Sequence, residues 1–140
     1  MEGLTLAQAE AVLKGALAHA RAQRMQPLAV LVLDARGVPK AFAAEDGTSL
    51  RRFEIAHGKA HGALAMGVSS RELGNRAVER PHFIAAVTHA VGGALVPVAG
   101  GVLIRDAAGA VIGAAGASGD TSDNDEAAVL AGIAAAGLGS

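Results

Sequence analysis

Apolar residues return every three or four positions along the first 24 residues, so that leucines and alanines share one face of a predicted helix. Thr5 followed by Gln8 fits a capping box, in which the two side chains bind the first free backbone amides of a helix. The pattern therefore predicts an amphipathic first helix that extends to about Arg24.

Short runs rich in β-branched and aliphatic residues follow this helix and predict strands. Residues 27–34, PLAVLVLD, and 38–45, VPKAFAAE, flank the turn sequence DARG, and residues 100–119 repeat this arrangement with DAAG at their centre. Asp opens such a turn through its side chain and Gly closes it with a positive φ, so each pair of runs predicts a hairpin. Residues 94–100, ALVPVAG, predict a further strand in the same sheet.

Helical patterns occupy the middle and the end of the chain. Three predicted helices lie between the hairpins, at residues 49–67, 69–80 and 81–92. Ser122 with Asp125 resembles a capping box, which predicts a final helix that ends near Gly137. The predicted order is α-β-β-α-α-α-β-β-β-α, which indicates one α+β domain over residues 1–140, with helices packed on one side of a five-stranded antiparallel sheet.

Composition limits how much surface the predicted core can bury. Hydrophobic residues make up 51% of the 140 residues, but the chain has three Phe, no Trp or Tyr, and 19 Gly. Ala and Gly bury little apolar area per residue, so a core of this composition gains less from burial than an average core does. We therefore expect the chain to bury further surface by forming a homo-oligomer.

Charge and pattern argue against several classes of function. The net charge is −1 and no basic tract is present, which argues against a nucleic-acid partner. The apolar runs are too short and too interrupted by Gly to cross a bilayer, and MEGLTLAQAE has no apolar leader, so we expect a cytoplasmic protein without a membrane partner. The absence of Cys removes disulfides and thiolate chemistry.

The stretch RRFEIAHGKAHGALAMG, residues 51–67, contains the polar groups that most strongly indicate a site. His57 and His61 are four residues apart and share one helical face, where they would jointly hold a ligand group, whereas Lys59 points to another face. The pair lacks the Glu of the H-E-x-x-H zinc motif, so we predict no metal site. The alternative is that both histidines are polar residues beside a packing surface.

Arg51 and Arg52 occupy an unfavourable position if Ser49 caps the same helix. The helix dipole is positive at the N-terminus and disfavours cations in the first turn. Binding of a carboxylate or phosphate would offset this cost, because a helix N-terminus and two guanidinium groups form a strong anion site. Pairing of Arg51 with Glu45 or Asp46, or across a subunit contact, is the alternative.

The same helix is rich in small residues, among them Gly58 and Gly62. Each Gly costs about 1 kcal/mol of helix propensity relative to Ala, so the close approach of another group is needed to explain them. We expect another helix or the sheet to pack there, with a flat ligand as the alternative.

Residues 116–128, GASGDTSDNDEAA, combine hydroxyl and acidic side chains, including Ser118 and Asp120. Acidic residues favour the positive end of a helix dipole, which explains most of this cluster without a function. A calcium loop is poorly supported because Ala128 stands where that motif needs Gly, and Ser118 does not fit the G-x-S-x-G motif of serine hydrolases.

Three segments together resemble the GlcG/HbpS family, also called haem-binding or PduO C-terminal-like domains. They are VLVLDARGVPKAF, DGTSLRRFEIAHGKAHGALAMG and GGVLIRDAAGAVIGAAGASGDTSDNDEAAVLAGI, in which Lys59 and Ala60 match the family's Lys-Ala pair. The resemblance implies a profilin- or PAS-like α+β domain that assembles into homo-oligomers. It also implies haem as a cofactor, since some relatives bind haem or take part in its degradation, while others are accessory proteins in metabolic or redox-sensing pathways.

The leading hypothesis is therefore an oligomeric binding protein for haem or a related anionic small molecule. Its axial ligand would come from a histidine or methionine, and guanidinium groups would bind the propionates. The axial candidates are His57, His61, His82, His89 and Met66. The ligand-binding candidates are Arg51, Arg52, His57, Lys59, His61, Ser118 and Asp120.

Two alternatives stay open at this point. In the first, the protein is a cofactor-independent enzyme in which an arginine clamps a carboxylated substrate and a histidine transfers protons. The catalytic candidates are His61, His57 and Glu54, and either Glu54 or Asp120 would orient the histidine. In the second, the protein is a structural or regulatory oligomer whose polar helix lies in a subunit interface.

Overall fold

The computed structural model describes residues 3–140 and contains, over that range, five helices and four strands. None of these helices is both long and apolar enough to cross a bilayer. The helices are α1 (Leu6–Ala22), α2 (Arg52–Met66), α3 (Ser70–Glu79), α4 (Pro81–Ala90) and α5 (Ser122–Ala135). The strands are β1 (Ala29–Asp34), β2 (Pro39–Ala44), β3 (Gly101–Arg105) and β4 (Val111–Ser118).

The capping box at the start of α1 is confirmed. Thr5 Oγ1 accepts a hydrogen bond from Gln8 N at 3.1 Å, and Gln8 Oε1 accepts one from Thr5 N at 3.0 Å. The helix ends at Ala22, close to the predicted end at Arg24. Local hydrogen-bonding chemistry was therefore sufficient to locate this element.

The four strands form one antiparallel sheet in the order β2-β1-β4-β3. Both predicted hairpins are confirmed, and their turns use the same chemistry. Asp34 Oδ1 accepts a hydrogen bond from Arg36 N at 2.9 Å, and Gly37 closes the turn at a φ of 80°. Asp106 and Gly109 take the equivalent roles in the second turn.

The predicted fifth strand at residues 94–100 is wrong, and the order of elements is α-β-β-α-α-α-β-β-α. This segment instead lies across α2, where Val96 N donates a hydrogen bond to Gly58 O at 3.0 Å. A Cβ atom at Gly58 would overlap the side chain of Val96, so the glycine provides the space in which the segment packs. Pro97 also lacks the backbone amide that a strand would use.

The prediction that all helices pack on one side of the sheet is also wrong. α1 and α5 cover one face, whereas α2 covers the other. Strand β1 explains this arrangement, because all six of its residues are buried, with Val30 and Val32 facing α1 and α5 and Leu31 and Leu33 facing α2. Successive side chains of a strand point to opposite faces, so a strand whose residues are all buried needs cover on both faces.

The N-cap of α5 is Thr121, one residue before the predicted Ser122. Its Oγ1 accepts a hydrogen bond from Asn124 N at 3.2 Å, and Asp125 Oδ1 accepts one from Asp120 N at 2.9 Å, so the predicted capping pair of Ser122 and Asp125 is wrong. Asp125 shares one helical stripe with Val129, and both side chains are buried. The carboxylate of Asp125 therefore lies in the protein interior.

Asp125 forms a buried ion pair with Lys59 of α2. Lys59 Nζ donates hydrogen bonds to Asp125 Oδ2 at 3.1 Å and to Ala117 O at 3.0 Å, and only 2% of Lys59 and 1% of Asp125 are exposed. Burial lowers the pKa of Lys59 and raises the pKa of Asp125, while the attraction between the two charges opposes both shifts. Because α2 and α5 lie on opposite faces of the sheet, the pair joins the two helical layers.

Two glycines determine how closely α2 approaches the sheet. Gly116 in β4 and Gly101 in β3 face this helix, and a Cβ atom at either position would overlap its backbone, at the carbonyls of Ala56 and Lys59 respectively. The packing explanation for the small residues of this region is thereby confirmed. At these two positions α2 rests directly on the strand backbone.

We expect Gly116→Ala to destabilise the fold by about 1–3 kcal/mol, because the added methyl group must push α2 away from the sheet. Gly139→Ala is the matched control, since a Cβ atom there would meet its neighbours at the ordinary distances of 3.6 and 3.7 Å. Urea denaturation of both variants measures the difference in the free energy of unfolding. Equal midpoints for Gly116→Ala and the wild type would contradict this close packing.

Asp125→Ala should destabilise the protein by about 3–5 kcal/mol, because it leaves the ammonium group of Lys59 buried without a counter-charge. The double variant Lys59→Met, Asp125→Ala should recover most of this loss, since it removes both buried charges. Unfolding free energies measure the coupling, with Asp123→Ala as a control whose side chain is 80% exposed. A double variant no more stable than Asp125→Ala would argue against the ion pair.

Candidate functional site

One row of aromatic side chains runs along the surface of α2 and onto the edge strand β2. Phe53, His57 and His61 are spaced by four residues on α2, and Phe42 lies on β2. The rings of Phe42 and Phe53 meet edge to face with centroids 5.0 Å apart, and Phe53 and His57 are nearly parallel at 5.7 Å. The rings of His57 and His61 are 5.3 Å apart, which confirms that the two histidines share one face. We call these four residues the aromatic row.

The hydrogen bond of His61 determines which of its ring nitrogens carries the proton. His61 Nδ1 lies 2.8 Å from Ala94 O, and a carbonyl oxygen can only accept, so Nδ1 is the donor. In the neutral ring, Nε2 then keeps its lone pair. A metal-bound histidine commonly donates its other N–H to a backbone carbonyl in this way. The segment at residues 94–100, which the sequence assigned to the sheet, therefore orients this histidine.

His57 is held in its neutral form over a wider pH range than an ordinary histidine. Burial lowers the pKa of His57 and repulsion from His61 lowers it further, whereas the carboxylate of Glu54 partly offsets both effects. Protonation of His57 in the folded protein therefore requires a more acidic solution. The neutral imidazole is the form that binds metals, so these surroundings favour a ligating role.

The N-terminus of α2 differs from the prediction. α2 begins at Arg52, Arg51 takes the N-cap position, and no side chain caps the helix. Ser49 instead accepts a hydrogen bond from Arg52 Nε at 3.0 Å, so its predicted capping role is wrong. Arg52 Nη1 also donates to Ser118 Oγ at 3.0 Å. No carboxylate among residues 3–140 forms an ion pair with Arg52, which is half-buried.

Arg51 has a different partner from the ones that the sequence indicated. Its Nη1 lies 3.1 Å from Glu54 Oε2, and both side chains are largely exposed. The predicted pairing with Glu45 or Asp46 is wrong, because Glu45 pairs with Arg21 at 2.9 Å. Arg51 is therefore a surface cation with a surface counter-ion.

Neither Glu54 nor Asp120, the two carboxylates predicted to orient a histidine, hydrogen-bonds to His57 or His61. Asp120 Oδ2 accepts a hydrogen bond from Gln26 N at 2.7 Å, and its Oδ1 accepts one from Thr121 N at 2.7 Å. These bonds lower the pKa of Asp120 and hold the turn before α5 together. The carbonyl of Ala94 orients His61 in place of a carboxylate.

The structure divides the predicted site residues into two groups. One group lies on the outer surface and at the N-terminus of α2, where Arg51 contacts Glu54 and His57 contacts His61: Arg51, Arg52, Glu54, His57 and His61. Those engaged in structural hydrogen bonds are Lys59, Ser118 and Asp120. The axial candidates His82 and His89 are exposed on α4 and take no part in the aromatic row.

Two features of the site were absent from the sequence-based list. Asp125 was assigned to the helix dipole, although its spacing to Val129 already placed it on the buried stripe of α5. The carbonyl of Ala94 has no local signal at all, because it depends on how the segment folds back on α2.

Among residues 3–140, no group of three or more His, Asp or Glu side chains could hold a metal ion.

Solved structures of similar fold cover nearly the whole chain. The crystal structure of a PduOC:heme complex matches with a TM-score of 0.87 and 24% identity, over 99% of this chain and 98% of that one. HbpS matches with a TM-score of 0.81 and 27% identity, over 96% and 90% of the two chains. Klebsiella pneumoniae protein ORFY matches with a TM-score of 0.87 and 19% identity, over 98% and 92%.

Sequence comparison leads to the same relatives. No curated protein matches the chain. A family model described as haem degrading protein HbpS-like matches residues 4–134, which is nearly the full length. The resemblance seen in the sequence is confirmed, and this chain belongs to the HbpS-like family.

Proposed function

We propose that this protein binds haem on the aromatic row, where His61 Nε2 would supply a ligand to the haem iron. The hydrogen bond from His61 Nδ1 to Ala94 O is the observation on which the proposal rests, because it leaves Nε2 as the ligating nitrogen. Membership of the HbpS-like family and the heme complex of PduOC support haem as the ligand. His57, which its surroundings keep neutral, is the second imidazole of the row.

The surface around the row offers the apolar area that a porphyrin needs. Phe42 and Phe53 are 41% and 37% exposed, and Leu50, just before α2, is 87% exposed. Covering such side chains with an apolar ligand contributes about 25 cal/mol for each Å² of apolar surface removed from water. A flat macrocycle lying against these residues would gain this free energy.

Haem is also an anion, and the N-terminus of α2 supplies cations for its propionates. Arg52 uses Nε and one Nη1 donor to bind serine hydroxyls, so its two Nη2 donors and the second Nη1 donor remain to bind a propionate. Arg51 pairs with Glu54 at the surface, where an ion pair contributes about 0–1 kcal/mol, and a propionate would readily replace Glu54. The charge of the site therefore complements the ligand.

The geometry favours binding over the enzyme hypothesis. A carboxylate behind a histidine stabilises the imidazolium that forms during general base catalysis. Here His61 Nδ1 is bound to a neutral carbonyl, and Glu54 is bound to Arg51. The arrangement suits an imidazole that donates its Nε2 lone pair to a metal.

We also propose that the protein assembles into a homo-oligomer. Leu50 is 87% exposed and Val78 on α3 is 84% exposed, which is a large fraction for apolar side chains. The aromatic row covers only one face of a flat ligand, whereas binding sites usually bury most of the ligand surface. A second copy placed against the row would bury Leu50 and cover the other face.

Hemin added to the protein should give a Soret band that differs from that of free hemin. We expect His61→Ala to weaken hemin binding about 100-fold, or about 2.8 kcal/mol, because it removes the proposed axial nitrogen. His89→Ala is the matched control, since His89 is exposed on α4 and outside the row. Absorbance titrations measure both affinities. A spectrum identical to free hemin at equimolar loading would refute the proposal.

Light scattering after size-exclusion chromatography should give a mass that is a multiple of 13.8 kDa. Leu50→Glu should lower that mass, because it places a charge in the proposed contact between copies. Leu6→Glu is the control, since Leu6 lies on α1 and is 54% exposed. A single-chain mass for the wild type, with and without hemin, would show that no oligomer forms.

A further inference from the structure

At both ends of β3, the backbone groups on the outer edge of the strand already hydrogen-bond to other parts of the chain. β3 is an outer strand, so alternate residues direct their backbone groups toward β4 and toward the edge. At Gly101, the Ser70 hydroxyl accepts a hydrogen bond from the amide at 2.7 Å and donates one to the carbonyl at 3.3 Å. At Arg105, Gly139 O accepts from the amide at 2.8 Å and Gly139 N donates to the carbonyl at 2.9 Å.

Leu103 lies midway between Gly101 and Arg105, and its backbone groups point in the same direction as theirs. No side-chain or loop group among residues 3–140 hydrogen-bonds to Leu103 N–H or C=O on this side. Unpaired backbone groups on an edge strand are a template for pairing with another molecule. The edge of β3 therefore offers one donor, Leu103 N–H, and one acceptor, Leu103 C=O, between two positions that are already hydrogen-bonded.

A cavity of about 410 Å³ adjoins this open position. Val68 after α2, Val102 in β3 and Leu130 in α5 supply apolar walls, and Leu103 also lines the cavity. Small-molecule sites have volumes of about 300–1,000 Å³ and combine apolar walls with a few polar groups that set orientation. The volume and the walls of this cavity suit a small ring compound.

The charged side chains around the cavity already have partners. Glu126 Oε1 lies 3.1 Å from Arg71 Nη2, and Glu72 Oε1 lies 3.6 Å from Arg76 Nε. Arg105 Nη1 donates a hydrogen bond to a backbone carbonyl at 3.2 Å. The two glutamate carboxylates at the cavity are therefore already paired with arginines, and a ligand needs no positive charge of its own to bind beside them.

We propose that this cavity binds an uncharged planar heterocycle with a hydrogen-bond donor and acceptor next to each other, as in a lactam. The carbonyl of the ring accepts from Leu103 N–H, the ring N–H donates to Leu103 C=O, and the apolar walls cover the ring faces. An extended peptide fits less well, because it would need the edge groups that Ser70 and Gly139 occupy. This site is separate from the aromatic row, so it stands independently of haem binding.

The test uses 2-pyridone, a ring with adjacent N–H and C=O groups, and N-methyl-2-pyridone, which lacks the donor. Each compound is titrated into the ¹⁵N-labelled full-length protein, and the amide resonance of Leu103 is followed by NMR. We expect 2-pyridone to shift this resonance with saturation at a Kd on the order of 1 mM, and the methylated compound to bind at least about tenfold more weakly. No saturable shift at Leu103, or equal effects of the two compounds, would overturn the proposal.

Leu130→Trp provides a second test, because the larger side chain would fill the cavity from a position that is already 40% exposed. We expect this variant to lose the response to 2-pyridone, while Leu6→Trp, at the exposed position on α1, keeps it. Retention of the saturable shift in Leu130→Trp would place the ligand elsewhere and overturn the proposal. If Leu130→Trp does not fold, the comparison of the two compounds decides the question alone.

Discussion

The close contact between α2 and the backbone of the sheet determines where the rest of the site lies. Gly116 and Gly101 allow the helix to rest on β4 and β3, since any side chain at these positions would overlap helix carbonyls. With its inner face placed in this way, α2 presents Phe53, His57 and His61 on its outer side, beside β2. Thicker packing between helix and sheet would separate Phe53 from Phe42 and break the aromatic row.

The small residues of α2 serve the site in a second way. Gly58 lets the segment at residues 94–100 lie against the helix, and this segment brings the Ala94 carbonyl to His61. Glycine in a helix lowers helix stability by about 1 kcal/mol relative to alanine. At Gly58 this loss accompanies a contact that orients the imidazole of His61. The buried pair of Lys59 and Asp125 then links α2 to α5. Such a pair adds little net stability, and it selects one relative position of the helical layers.

The sequence predicted best where the deciding interactions are local. The capping box at Thr5, the turn at Asp34 and the shared face of His57 and His61 all involve residues within five positions of one another. It failed at residues 94–100, because an apolar run looks like a strand whether it pairs with a sheet or packs on a helix. The helices on both faces of the sheet do have a local signal, because β1 is apolar at nearly every position and such a strand needs cover on both sides.

The sequence by itself determined the α+β class, the two hairpins and the pair of imidazoles, because these follow from periodicity and turn chemistry, and its resemblance to known relatives indicated the family. Only the tertiary structure decided which polar groups are buried in structural contacts and which stay at the surface of α2. It buried Lys59 against Asp125, 66 residues away along the chain, and set the Ala94 carbonyl on His61, 33 residues away. It also left Arg52 without a carboxylate partner among residues 3–140. Such pairings depend on how closely layers pack, and no local pattern encodes that distance.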